Sequence, residues 1–360
     1  RRCALCTAMG GEQVLTFQQD GGLKARSLIA EMTDETPLER LYAGPLPTDR
    51  SAWLARAESL LAADVQWHVA HPVNGLAGAA STVDQWLLPL QRALPDLERR
   101  PLITLVGDGP WLAGTGVFLG TFSHDLLGIP ATGRALYLRY TELVRIDAGR
   151  VVESYLIPDF LDAMWQAGCY PLRPGLGHPG VVPGPASQDG LWPDAISDTR
   201  SASSEQLVMD MLDCLRRYDG VSLESMDLEN YWHPDFMWYG PGGIGTTRGI
   251  QGFRAHHQGP FLKAFPDRDV DHHACTVACG DYVATGGWPH MHGTHTGGDW
   301  LGLPATGRHL ELRVMDIWRR EGDLLRENWV AIDICHMLDQ MGLDVFAQSH
   351  SLGRELPSHG

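Results

Sequence analysis

The residues best suited to chemistry are gathered in the C-terminal half of the chain. His290 and His292 stand two apart in a strand-like run, His295 follows them, and His272-His273 precede them. Alternate residues of a strand share a face, so the imidazoles of His290 and His292 are expected on one side. Two such histidines followed by a carboxylate and a further histidine would hold iron or manganese. Thr296 and Gly297 stand where that carboxylate would fall. Pocket or surface histidines are therefore the preferred reading, and no metal is expected. Arg313 and Asp316 are three residues apart, which puts them on opposite faces of a regular strand; a bulge between them would turn both inward. Among the tryptophans, Trp238, Trp288 and Trp329 are expected to line a pocket for a flat, apolar compound. The other aromatics of this half are expected in the core. The chain has no P-loop, no GxSxG and no HExxH, which weakens nucleotide and serine-hydrolase chemistry. No cofactor is expected.

These residues are positioned by a duplicated unit. Residues 127–134 read LGIPATGR and residues 301–308 read LGLPATGR. Asp64-Val65-Gln66-Trp67-His68 answers Asp235-Phe236-Met237-Trp238-Tyr239, and Leu94-Pro95-Asp96 answers Phe265-Pro266-Asp267. GRALYLRYTELVR (133–145) lies against GRHLELRVMDIWR (307–319), and Glu153-Ser154-Tyr155 against Glu327-Asn328-Trp329. Self-similarity of this kind marks tandem repetition. The expected organisation is an N-terminal extension over 1–36, a first domain over 37–170, a Pro/Gly-rich linker over 171–200, a second domain over 201–345 and a tail over 346–360.

Within each unit, amphipathic helical signal comes first (50–62; 204–218). A short strand bearing Trp67 or Trp238 follows, then a second helix (82–94; 249–265) and a run of Val/Ile/Thr-rich strands. Helices followed by consecutive strands predict an α+β fold: a curved antiparallel sheet closed by helices into a cone-shaped barrel, with a deep pocket suited to a small molecule. The linker is long enough for the two units to pair within the chain as a pseudo-dimer through their sheets, with a further homodimer left open.

At 360 residues the chain is long enough for two cores, and 44% apolar content with 20% charge is ordinary for a folded protein. A formal charge of −16 repels phosphate backbones, so nucleic acid is not an expected partner. No apolar run reaches membrane-spanning length, and no membrane is expected. The seven cysteines are unpatterned, which fits reduced thiols in a cytoplasm. Cys3 and Cys6 lack the second pair that a zinc site would need.

Taken together, Gly293-Thr294-His295-Thr296-Gly297, the turn 301–307, Asp316, Gly322-Asp323 and Glu327-Asn328-Trp329 resemble the SnoaL-like polyketide cyclase family, of the nuclear-transport-factor-two-like fold. The resemblance covers both units. It implies that Asp316 is the acid/base of a cofactor-free intramolecular aldol ring closure. A carboxyl in a poorly hydrated aromatic pocket has a raised pKa, and an imidazole within reach can shuttle a second proton. Asp316 and His295 are thus the expected catalytic pair, with Trp238, Trp288, His290, His292, Arg313 and Trp329 about the substrate. Unit one departs at the chemistry: Phe122 replaces His295, Glu142 replaces Asp316, and Tyr155 replaces Trp329. Its pocket candidates are Trp67, His68, Trp111, Glu142 and Tyr155, but the site is expected in unit two. The leading expectation is a cyclase, aldol-type lyase or isomerase on a small hydrophobic carbonyl compound. A non-catalytic binding protein is one alternative. An epoxide hydrolase-like enzyme is the other, and it requires Asp316, Arg313 and Asp333 to meet in one pocket.

Overall fold

The computed structural model describes residues 35–107, 109–191, 198–270, 273 and 275–355. The N-terminal extension up to residue 34, with Cys3 and Cys6, and His272 lie outside the described residues. Unit one is a sheet of β1 (Leu61–Val69), β2 (Asn74–Ala77), β3 (Glu98–Val106), β4 (Trp111–Thr121), β5 (Ala135–Asp147) and β6 (Arg150–Pro158), in the order β2-β1-β6-β5-β4-β3. Unit two repeats it with β7 (Trp232–Tyr239), β8 (Thr247–Arg248), β9 (Asp269–Val270), β10 (Cys275–Cys279), β11 (Tyr282–Thr294), β12 (His309–Glu321) and β13 (Leu324–Ile332). The order there is β10-β11-β12-β13-β7-β8, with β9 also on β11.

The sheets are curved but open, and they are mixed rather than antiparallel. β1 runs parallel to β6, and β7 parallel to β13. The first strand of each unit is followed by a short strand, a helix and further strands before the last strand returns beside it. That long crossover sets its direction, whereas β4, β5 and β6, and likewise β11, β12 and β13, follow one another in antiparallel sense, with tight turns only at β5–β6 and β12–β13.

Local sequence accounts for the helices. Asp49 caps helix Arg50–Leu60 by accepting from the Ala52 amide, and Trp53, Ala57 and Leu60 are buried along one stripe. The second helix of each unit is broken by a π turn at equivalent places, Val83–Leu87 and Arg254–Gln258. Pro89 and Pro260, just beyond each turn, have no N–H to give back to it. Asp159 and Asp333 cap the helices that follow the last strands, Phe160–Ala167 and Ile334–Gln340.

Those two cap residues also join the units. The Arg139 guanidinium bonds Asp159 and the Gly240 carbonyl, and Asp159 accepts from the Gly242 amide at 2.7 Å. In mirror fashion Arg313 bonds Asp333 at 3.0 Å and Asn74 at 2.8 Å, and Asp333 accepts from the His71 amide at 2.9 Å. Each unit offers the same patch to the other, as in a two-fold pair. Tyr155 stacks on His68 (4.7 Å), Trp288 packs beside Tyr155 (5.7 Å), and Arg313 lies 4.5 Å over the Trp288 ring. Gly286 permits close approach here, since a Cβ would come 2.7 Å from Leu143 Cδ1.

The linker crosses the outer face of the second sheet as a tied strap. Trp329 Nε1 donates to the Pro183 carbonyl at 2.9 Å, the Ala186 amide to Glu327 at 3.2 Å, and Thr104 bridges Leu191. Beneath it lie the buried pair Arg319–Glu327 (2.5 Å) and Tyr239, whose hydroxyl donates to Glu327. Among the described residues no helix is long and apolar enough to cross a membrane.

Candidate active site

Strict alternation along β12 turns Leu312, Val314, Asp316 and Trp318 into the concave side of the second sheet, where they line a cavity of about 340 Å³. Val330 and Ile332 of β13, Trp232 and Trp238 of β7, and Phe253 and Phe261 of the broken helix complete most of an apolar wall. Asp213, on helix Asp198–Leu215, and Arg216, just past its end, are both exposed and stand at the rim.

Asp316 is the carboxyl in this wall. One oxygen accepts from the Asn328 side-chain amide at 3.2 Å, and among the described residues no cation offsets its burial. Desolvation therefore pushes its pKa up to about 7. The first unit shows why the cation is missing. Across its sheet the ladder runs Arg99–Phe118–Leu138, with Glu142 two inward positions further along β5. The corresponding ladder in unit two runs Val270–Met291–Leu312, with Asp316 in the place of Glu142. Arg99 bonds Glu142, and both side chains are almost fully buried; Val270 offers nothing to Asp316.

The same alignment sets Phe118 against Met291 and Tyr140 against Val314. Counted back from Leu94-Pro95-Asp96 and Phe265-Pro266-Asp267, Trp86 falls opposite His257. In unit one the larger side chains close the interior: Phe118 packs 4.5 Å from Tyr140, 5.4 Å from Tyr42 and 6.1 Å from Trp86. In unit two the smaller ones leave the cavity open.

His257 was not anticipated from the sequence, although the Trp86 alignment points to it. Its ring lies on Trp238 at 4.2 Å and 17°. It borders the Asp316 cavity and also a smaller pocket of about 150 Å³ beside the turn Trp300-Leu301-Gly302 and the strap. Burial lowers its pKa to about 3, so the imidazole is neutral.

Of the expected site residues, Trp238 and His290 join Asp316 in the cavity wall, and His290 bonds His273 at 3.0 Å. The others lie elsewhere. His295 is not among the lining residues: it is buried at the end of β11 against Phe265 (5.3 Å), bonds Thr306 at 3.2 Å, and burial lowers its pKa. His292 packs beside His309 (5.3 Å) instead of sharing a face with His290. The cause is a bulge in β11, where three residues, Trp288 to His290, face the single Arg313 across the ladder. That bulge sends Trp288 to the unit interface and turns His290 and Met291 inward. Arg313 stays on the opposite face from Asp316, in the interface clasp. Trp329 is one residue from inward-facing Val330, so it points out beneath the strap. Arg313 and Asp333 do meet, but away from Asp316 and outside the cavity lining, so the triad of an epoxide hydrolase-like site is not assembled. In unit one Trp67 and Glu142 are buried inside, while Tyr155, like His68 and Trp111, lies by the interface.

A family model described as SnoaL-like polyketide cyclase matches the chain twice, over residues 48–167 and 212–341. Similar solved structures include AclR from Streptomyces galilaeus at 23% identity, covering 39% of this chain and 97% of that one with a TM-score of 0.32. IdmH from Streptomyces antibioticus matches at 24% identity over 37% of this chain and 96% of that one, with a TM-score of 0.31. TsrD from Streptomyces laurentii matches at 25% identity over 39% and 96%, with a TM-score of 0.30. No curated protein matches.

Proposed function

We propose that this chain, which belongs to the SnoaL-like polyketide cyclase family, is a cofactor-independent acid/base enzyme that closes a ring in a small hydrophobic carbonyl compound, using unit two. The observation that carries the proposal is a carboxyl without a cation, poised near neutrality, in an apolar cavity whose counterpart in unit one is filled. Near pH 7 such a group exists in both protonation states, which suits both directions of proton transfer.

As carboxylate, Asp316 removes a proton from the carbon beside a carbonyl. The enolate carbon then attacks a second carbonyl of the same molecule, forming the ring bond. The protonated Asp316 returns its proton to the new alkoxide, so the carboxylate is regenerated. Asn328 steadies the carboxylate through its amide, and the tryptophan-rich wall keeps water from quenching the enolate. The wall offers flat faces to a planar substrate. Unit one supports its partner through the interface clasp.

The test is exchange of α-protons for deuterium, and ring closure, in bicyclic β-keto esters followed by NMR. Asp316→Asn should slow both about 10²–10⁴-fold, the usual worth of a positioned acid/base, with the ester still bound. An unchanged rate would refute the proposal. Binding without turnover in the wild-type chain would identify a carrier of such compounds instead.

A further inference from the structure

We infer that Thr285 is a positioning residue for Asp316: its hydroxyl donates to the carboxylate oxygen that Asn328 leaves free, and so steadies the ionised acid between two neutral donors. The inference rests on the reading of Asp316 as the acid of this site. Thr285 acts through that acid, since its hydroxyl is sealed and it is not among the cavity-lining residues.

The placement follows from the ladder. Thr285 on β11 is the direct partner of Asp316 on β12. Paired residues of antiparallel strands send their side chains to the same face, with Cβ atoms about 4.5–5.5 Å apart. That span is short enough for a hydroxyl and a carboxyl to meet. Asn328 approaches Asp316 from β13 on the other side and bonds one oxygen. No other side chain among the described residues bonds the carboxyl. Thr285 is fully buried, and its Oγ1 has no hydrogen-bond partner among the described residues. An unpartnered buried hydroxyl is costly, and rotation about Cα–Cβ turns it toward the free oxygen of Asp316. Its other ladder partner, Thr276 on β10, is half-buried, and no bond joins the two hydroxyls.

Unit one carries the converse. Its acid, Glu142, pairs with Gly114, where a Cβ would stand 3.6 Å from Glu142 Oε1 and 2.9 Å from the Ile103 carbonyl. The first distance shows that a side chain at this ladder position touches the acid. The second leaves no room for one in unit one, where Arg99 serves the carboxylate instead. Unit two therefore has a hydroxyl where unit one relies on a cation. A hydroxyl bonds a carboxylate without adding charge, so it orients the acid and still lets it hold a proton near neutrality. The other titratable groups about the cavity are Asp213, Arg216, His257, Arg268, His273 and His290. Burial, opposed by Asn328, and none of these, sets the pKa of Asp316.

The test is the infrared carbonyl band of the protonated Asp316 carboxyl, assigned by its absence from Asp316→Asn and titrated in the full chain without ligand. Thr285→Val keeps the shape and removes the hydroxyl, so the midpoint should rise by about one pH unit. Thr285→Ser should keep the wild-type midpoint. Near-ultraviolet circular dichroism checks folding. If the valine variant does not fold, Thr285→Cys, whose thiol is a weak donor, should raise the midpoint in its place. The inference is overturned if removal of the hydroxyl leaves the midpoint where it was. It is overturned too if Thr285→Ser raises it as far as Thr285→Val, which would make side-chain shape the cause. Both outcomes are read without turnover. An α-proton exchange rate unmoved by Asp316→Asn would instead refute the acid/base reading, and Thr285 would still be the donor to that carboxyl.

Discussion

Replacing a carboxyl by its amide should change stability in opposite directions in the two units. In unit two, Asp316 has a folded pKa of about 7 against roughly 3.9 in an unfolded chain. Between these values the folded carboxyl is protonated while the unfolded one is ionised, so folding takes up a proton. A raised carboxyl pKa therefore costs stability as pH climbs from about 4 to about 7, and the loss is complete above 7. Three pKa units correspond to about 4 kcal/mol, and water entering the cavity brings the real loss below that ceiling. Asp316→Asn cannot ionise in either state, so it escapes the loss. In unit one, Glu142→Gln leaves the Arg99 guanidinium buried without its carboxylate, which should cost about 3–5 kcal/mol. Thermal denaturation followed by circular dichroism from pH 4 to pH 9 reads both. At about 2–4 °C per kcal/mol for units of this size, Asp316→Asn should melt several degrees higher at pH 8, the gain shrinking toward zero near pH 4. Glu142→Gln should melt well below wild type at neutral pH. A lower melting temperature for Asp316→Asn at pH 8, or a gain independent of pH, would refute the reasoning.

Val270→Arg restores in unit two the cation that unit one carries at Arg99. It should lower the pKa of Asp316 by one unit or more and move the pH midpoint of α-proton exchange toward acid. An unmoved midpoint would mean that the two ladders are not equivalent. Asp333→Ala removes the buried carboxylate that holds Arg313 and accepts from His71, at about 3–5 kcal/mol. Differential scanning calorimetry should then resolve the two units as separate transitions; persistence of a single transition would show that the clasp does not couple them.

The duplication was legible because turns punish substitution locally: the glycines of 127–134 and 301–308 hold positive φ at Gly128, Gly133, Gly302 and Gly307, where other residues are strained. The inward direction of Asp316 was legible from the same parity as Leu312 and Val314. Facing was harder to read for Trp288 and Trp329. Alternation reveals a face only when the other face meets water, and here the outer faces are covered by the partner unit and the strap, so both parities are apolar. Only Pro289 hinted at the bulge that displaces Trp288, since proline is poorly suited to a strand interior.

Comparing Glu142 with Asp316 alone reads as a conservative exchange that leaves either unit able to do acid/base chemistry. The ladders make it one half of a coupled change. A buried Arg99 without Glu142 is an orphan charge, and a buried Glu142 without Arg99 is a carboxyl driven toward its neutral form. Each single exchange carries a cost of several kcal/mol, so the pair changes together or the unit loses stability. Unit one keeps both charges and closes around them with Trp86, Phe118 and Tyr140. Unit two has Val270 in place of that cation, which leaves the pKa of its acid raised, while His257, Met291 and Val314 leave room beside it. On the proposed function, the unit that transfers the proton is set less by the acid than by position 270, far away in sequence and one strand removed in the sheet.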